Sequence, residues 1–218
     1  MDSIFNYNYT PPTIQEIDLG KLKVYKTNNN FVLQINDEIW MQHDYKNHRD
    51  AKEFFLQYLF AKGHVITTGL GFGIRENWLL TKPEVTKLTV IEKHKEVIDY
   101  HIATGSPLIN NAEIIFADAK EYEGKCDTLL LDHYEYRKED VKNLLDEIEI
   151  IVKNINHKTL WFWLLEHIIM SKDLKSNRIH TLPGILKHYK ELRNKLTTLP
   201  DIKSENIFRT FISIMNNK

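Results

Sequence analysis

Cysteine is nearly absent from this chain of 218 residues, Cys126 being the single one. No intrachain disulfide can form, and a metal site built on several thiolates is excluded, so a reducing compartment, the cytoplasm, is expected and no metal centre is. An excess of charge of either sign is also missing. Twenty-nine basic side chains face 30 acidic ones, for a formal charge of −1, which lacks the electrostatic footprint of a dedicated nucleic-acid binder. Long hydrophobic runs are absent as well: the stretch from Thr159 to Met170 is broken by Glu166 and His167 and falls short of the roughly 20 residues that span a bilayer. The opening residues, Met1 to Pro12, contain neither a basic leader nor an apolar segment of signal-peptide length. A soluble protein with no membrane partner is expected.

What remains is ordinary globular composition, 42% hydrophobic and 27% charged, in a 25.9 kDa chain of a size that suits one domain or one domain with a small appendage. Between Lys21 and Met41, apolar residues alternate (Leu22, Val24, then Phe31, Leu33, Ile35) around Asn28 to Asn30 and Asn36-Asp37. Turn residues at that spacing predict two or three short antiparallel strands. From about Asp50 the rhythm becomes helical, with Phe54, Phe55, Tyr58 and Leu59 on one face. After Gly63 strands and helices alternate. Strand-like runs cover His64 to Thr68, Leu88 to Glu92, Glu113 to Ala117, Thr128 to Asp132 and Thr159 to Leu165, with helical patterns near His94 to Thr104 and Lys138 to Ile155. Short apolar runs separated by helices predict an α/β fold, an open, doubly wound, mostly parallel sheet covered on both faces. A last strand-like run, Ile207 to Met215, is reached through a loop and would be antiparallel.

In such sheets ligands sit beyond the carboxyl ends of the strands. Gly69, Gly71 and Gly73 occupy the turn after the first run, where the backbone must approach a ligand without a Cβ in the way. Their G-x-G-x-G spacing, followed by Ile74, Arg75 and Glu76, departs from the dinucleotide pattern G-x-G-x-x-G. Glu92 ends the second run about 20 residues later, a distance at which a carboxylate can take both hydroxyls of a ribose. Asp118 follows the third run in Phe116-Ala117-Asp118-Ala119, and Asp132 ends the fourth.

The motifs Val65 to Gly73, Leu88 to Glu92, Ile114 to Ala119 and Cys126 to Asp132, in this order, resemble those of the Rossmann-like S-adenosylmethionine-dependent methyltransferase superfamily. The spermidine-synthase-like branch is the one most similar. The resemblance covers about Lys21 to Leu165. It implies a seven-stranded sheet of order 3-2-1-4-5-7-6 behind a small N-terminal β-hairpin extension, with residues 1–49 as the leader and 50–218 as the cofactor-binding domain. It also implies S-adenosylmethionine as cofactor. Gly69, Gly71 and Gly73 would line its methionine and ribose, Glu92 would hold the ribose, Asp118, with Ala119 beside it, the adenine amine, and Asp132 would sit by the reacting centre.

In aminopropyltransferases two aspartates three residues apart follow the fourth strand; Asp132 matches the first, and Glu135 stands where the catalytic second would be. The segment is also similar to that of guanidinoacetate methyltransferases, through Asp132 and Tyr134. Asp132, Tyr134 and Glu135 are therefore the candidate catalytic residues, Tyr134 as a wall of the acceptor pocket. His133 is either a loop histidine bonded to backbone or a base. His43, His48, Asp44 and Asp50 read as a polar loop before a helix rather than a metal cluster, and Trp40 as an aromatic that could overhang the pocket. The expected activity is methyl transfer to a small or medium acceptor, with an amine among the candidates. Aminopropyl transfer from decarboxylated S-adenosylmethionine and a non-catalytic ligand-binding role are the alternatives. The partner expected is a small-molecule acceptor rather than nucleic acid, with assembly into a homo-oligomer left open.

Overall fold

The computed structural model describes residues 4–133 and 141–162, together with Leu165 and Ser213. A short 3₁₀ turn, Ile4–Tyr7, leads into four antiparallel strands in sequential order: β1 (Ile17–Asp18), β2 (Leu22–Lys26), β3 (Asn30–Ile35) and β4 (Glu38–Asp44). The leader is thus one strand wider than the alternation predicts, because β1 is too short to carry a pattern. Asn36 and Asp37, both at positive φ, make the tight β3–β4 turn. The helical stretch after Asp50 is two pieces, α1 (Arg49–Glu53) and α2 (Phe55–Phe60), which meet at Phe54. Three backbone carbonyls at the end of α2, of Tyr58, Leu59 and Ala61, accept from Lys82 Nζ at 2.7 to 2.8 Å. A helix C-terminus with orphan carbonyls is a natural cation site.

The chain then alternates β5 (Gly63–Thr68), α3 (Ile74–Leu80), β6 (Val85–Glu92), α4 (Lys95–Ala103), α5 (Leu108–Asn111), β7 (Glu113–Phe116), β8 (Gly124–Lys125), β9 (Thr128–Leu131), α6 (Val141–Asn154), β10 (Ile155–Asn156) and β11 (Thr159–Phe162). Five strands form one parallel sheet in the order β11-β9-β5-β6-β7, and β8 and β10 make a small parallel pair. All four residues of β9 are buried, as are Val65 to Thr68 of β5, which is the burial a parallel sheet covered on both faces requires. One continuous apolar core joins the leader (Leu22, Val24, Leu33, Ile35) to this sheet. Trp78 of α3 stacks on Tyr58 at 4.3 Å and donates through Nε1 to the Tyr7 carbonyl, tying the N-terminal turn to the same core.

The described parallel sheet therefore has five strands. The expected antiparallel strand at Ile207 to Met215 lies outside the described residues except for Ser213, whose backbone is helical rather than extended. β11 stops at Phe162, and Leu165, expected at the strand's end, is helical. β5 is central, with β6 on one side and β9 on the other, so the strand order reverses there. That crevice, outside the carboxyl ends of β5 and β9, is where an open α/β sheet places its ligand.

Candidate functional site

The crevice is real space, a cavity of about 1130 Å³. Its floor is the bend after β5. Gly69 has φ +77°, and a Cβ there would lie 2.5 Å from the Asp132 carbonyl, because the end of β9 passes directly beneath. Gly71 has φ +48°, and its Cβ would meet Met41 Sδ of β4 at 2.7 Å. Both positions need glycine for conformation, and Gly69 for room as well, since the atom a side chain would meet there is backbone. The bend is fixed from below by His101 of α4, 2% exposed, whose Nε2–H donates to the Gly71 carbonyl at 2.9 Å. Burial holds His101 below the usual histidine range, against the opposing pull of the Gly71 carbonyl and Glu76, so the ring stays neutral with its proton on the bonded nitrogen.

Glu92 joins this bend to the next loop. Only 5% exposed, it accepts the Leu70 N–H at Oε2 and the His94 N–H at Oε1, each at 2.7 Å. Each oxygen can accept a second bond from the cavity. Asp118, beyond β7, accepts the Lys120 N–H at Oδ1, 2.9 Å, with Lys120 Nζ 3.9 Å from Oδ2. Beyond β9, Thr68 Oγ1 accepts the Asp132 N–H at 3.1 Å and lies 2.6 Å from His133 Nδ1. On the other side of the ring, His133 Nε2 lies 3.7 Å from Glu147 Oε2. His133, assisted by Lys120 and against the effect of burial, holds Glu147 below the ordinary carboxylate range.

Gly69, Gly71, Glu92, Asp118, Ala119 and Asp132 all open onto this one cavity, together with Trp40 and Met41 of the leader. Gly73 does not. A Cβ there would strike Leu108 and His101, so the α3 start packs closely on α4 and α5. Tyr134 and Glu135 lie outside the described residues. Among the described residues, nine carboxylates but only three permanent cations, Arg75, Lys93 and Lys120, line the cavity.

Arg75 is a residue that sequence reasoning passes over. Its side chain is 3% exposed and pairs with Glu76, equally buried, at 2.7 Å and with Asp132 at 3.5 Å. It also donates to Gln57 Oε1 and to the carbonyls of Thr68 and Gly69. An Arg-Glu pair at the start of a helix looks like an ordinary surface pair, and no spacing in the sequence marks it as buried.

Burial pushes Asp132 up to about 7; Arg75 opposes this, and Glu76, Glu53 and Asp50 reinforce it. An unfolded aspartate titrates near 3.9, so between about pH 4 and 7 the folded state holds more proton than the unfolded one. Stability from this group therefore falls as pH rises through that window, and the full penalty is present above it. Asp132→Asn should accordingly be more stable than the wild type at pH 8, by about 1–2 kcal/mol. The difference should vanish near pH 4; chemical denaturation at the two pH values checks it, and equal midpoints at pH 8 would refute it.

No protein-family model matches the chain. No curated protein sequence matches it. Solved structures with a related arrangement include a proposed RNA methyltransferase from Pyrococcus horikoshii, 15% identical, with TM-score 0.46 over 70% of this chain and 70% of that one. Spermidine synthase from Thermotoga maritima is 13% identical, with TM-score 0.43 over 70% of this chain and 55% of the synthase. Magnesium protoporphyrin IX methyltransferase from Synechocystis PCC 6803, with bound SAM, is 13% identical, with TM-score 0.41 over 54% and 58% of the two chains. For the synthase and the protoporphyrin methyltransferase, as for a Thermoplasma acidophilum protein of which 59% is matched, the chain spans less than two thirds of the neighbour's length.

Proposed function

We propose that the chain binds S-adenosylmethionine at the strand-order reversal and transfers its methyl group to a small or medium-sized acceptor. One observation carries this reading: the glycine bend and the acids ending three neighbouring strands open onto a single cavity. The residues suit the cofactor. Gly69 and Gly71 hold a bend at positive φ that other residues rarely adopt, and both line the cavity, so that the backbone forms the cradle's floor. Glu92 faces the cavity with acceptor capacity for the two ribose hydroxyls, and Asp118 can accept from the adenine amine. The excess of carboxylates suits a ligand that carries positive charge.

S-adenosylmethionine, when bound, supplies a methyl group already activated on a sulfonium. The protein's task is then alignment and exclusion of water, for which the leader strands β3 and β4 supply the roof through Leu33, Ile35, Trp40 and Met41. Asp132, raised to about 7, is poised to take a proton from a neutral acceptor near physiological pH, and Arg75 at 3.5 Å stabilises its ionised form.

Isothermal titration tests the reading. S-adenosylmethionine and S-adenosylhomocysteine should each bind with a dissociation constant of about micromolar order, roughly −8 kcal/mol. No heat from either ligand would overturn it. Competition against decarboxylated S-adenosylmethionine separates methyl transfer from aminopropyl transfer, which requires the decarboxylated form to win.

A further inference from the structure

We propose that Asp50, held in place by the buried His43, is a second carboxylate of the reaction chamber and selects a positively charged centre, sulfonium or ammonium, beside Asp132. The proposal rests on the adenosyl-ligand reading and assigns a function to two residues that the sequence alone presents as loop polarity.

His43 sits in β4 with 1% of its surface exposed. Its Nδ1–H donates to Asp50 Oδ2 at 2.7 Å. Asp50 is the second residue of α1, on the cavity wall, with its side chain 24% exposed. A buried ring nitrogen has to be matched by a hydrogen bond, so the bond that satisfies His43 also fixes the Asp50 carboxylate. With Oδ2 held from behind, Oδ1 is the oxygen left for the cavity, and the side chain is restricted to one orientation. Next to this pair, His48, with its ring 6.1 Å from that of His43, is held below the usual histidine range by burial and by His43, with Asp44 and Asp50 pulling the other way. Burial and the charge of Asp50 together raise the Tyr9 hydroxyl far above the usual phenol range.

On the cavity side, Asp50 stands near enough to Asp132 to disfavour its ionised form. Arg75 reaches Asp132 at 3.5 Å but also serves Glu76, Gln57 and two carbonyls, so it offsets the Asp132 charge only in part. Two carboxylates facing one space from α1 and from the end of β9 are mutually repulsive when nothing lies between them. A cation placed between them relieves that repulsion.

The test compares three ligands by calorimetry that share one α-ammonium: S-adenosylmethionine, a sulfonium; sinefungin, which has an ammonium-bearing carbon in place of the sulfonium; and S-adenosylhomocysteine, neutral at that position. Asp50→Asn should weaken the two cationic ligands about five- to tenfold and the neutral one less than about twofold. His43→Phe should lower the same cation selectivity about two- to threefold, and His43→Asn, which restores a donor near Nδ1, should recover it. Asp50→Glu, which keeps the charge, should retain most of it, and it carries the comparison should Asp50→Asn fail to fold. Equal weakening of all three ligands in Asp50→Asn, or of none, would overturn the proposal while leaving the adenosyl-ligand reading intact. Failure of the wild-type protein to bind any of the three would overturn both.

Discussion

Replacing Arg75 with methionine should destabilise the protein by about 3–5 kcal/mol, the cost typical of leaving a buried charge without its partner. The guanidinium is the only cation in direct contact with the Glu76 carboxylate among the described residues, reaching Oε1 through both Nε and Nη2 at 2.9 and 2.7 Å. It also braces the carbonyls of Thr68 and Gly69, which begin the glycine bend. Methionine preserves most of the volume and none of these donors. Urea titration should show a lower midpoint at unchanged slope. The double variant Arg75→Met, Glu76→Leu removes the stranded carboxylate as well and should recover most of the loss, because a buried pair exchanged whole for apolar side chains is often neutral. If Arg75→Met alone moves stability by less than about 1 kcal/mol, the pair is not the buried clamp that its geometry describes.

Glu92→Ala should separate the ligand from the scaffold more sharply still. In the wild type its two oxygens hold the Leu70 and His94 N–H groups, which locks the bend after β5 to the loop after β6. Removing the carboxylate strands both donors, at about 1–3 kcal/mol for each one that water does not reach. Affinity for S-adenosylmethionine should fall at least about a hundredfold, since two charge-assisted hydroxyl bonds are lost along with the loop geometry. Glu92→Gln keeps one acceptor and turns a donor toward an N–H, so it should lie between the two in both readouts. Titration calorimetry on Ala and Gln variants that remain folded by circular dichroism provides the measurement. An Ala variant that binds within threefold of the wild type would remove Glu92 from the proposed site.

The parallel sheet is legible in the sequence because burial on both faces leaves nearly continuous apolar runs. β5, β7 and β9 fall within a residue of the runs at His64, Glu113 and Thr128. β6 begins three residues earlier than its apolar run, at Val85, because Thr86 and Lys87 are exposed in the strand's first half. β1, β8 and β10 are invisible, having two residues each, too few for any period to show. In the site, Glu92, Asp118 and Asp132 are legible because a strand-ending acid has a fixed direction. The Arg75, Glu76 and Asp132 cluster and the His43 and Asp50 pair are not, because each joins residues from separate elements through contacts that only the tertiary fold creates. The close packing of α3 at Gly73 on Leu108 and His101 is likewise not legible, since motif spacing presents Gly73 only as the third glycine of the bend.

The near contact between Gly71 and the sulfur of Met41 has a geometric corollary. One hydrogen atom, where any other amino acid carries carbon, lets the Met41 thioether rest against the bend. A methyl group at position 71 would push the flexible end of the Met41 side chain aside, so the thioether over the bend would change its place while every polar anchor below stayed where it was.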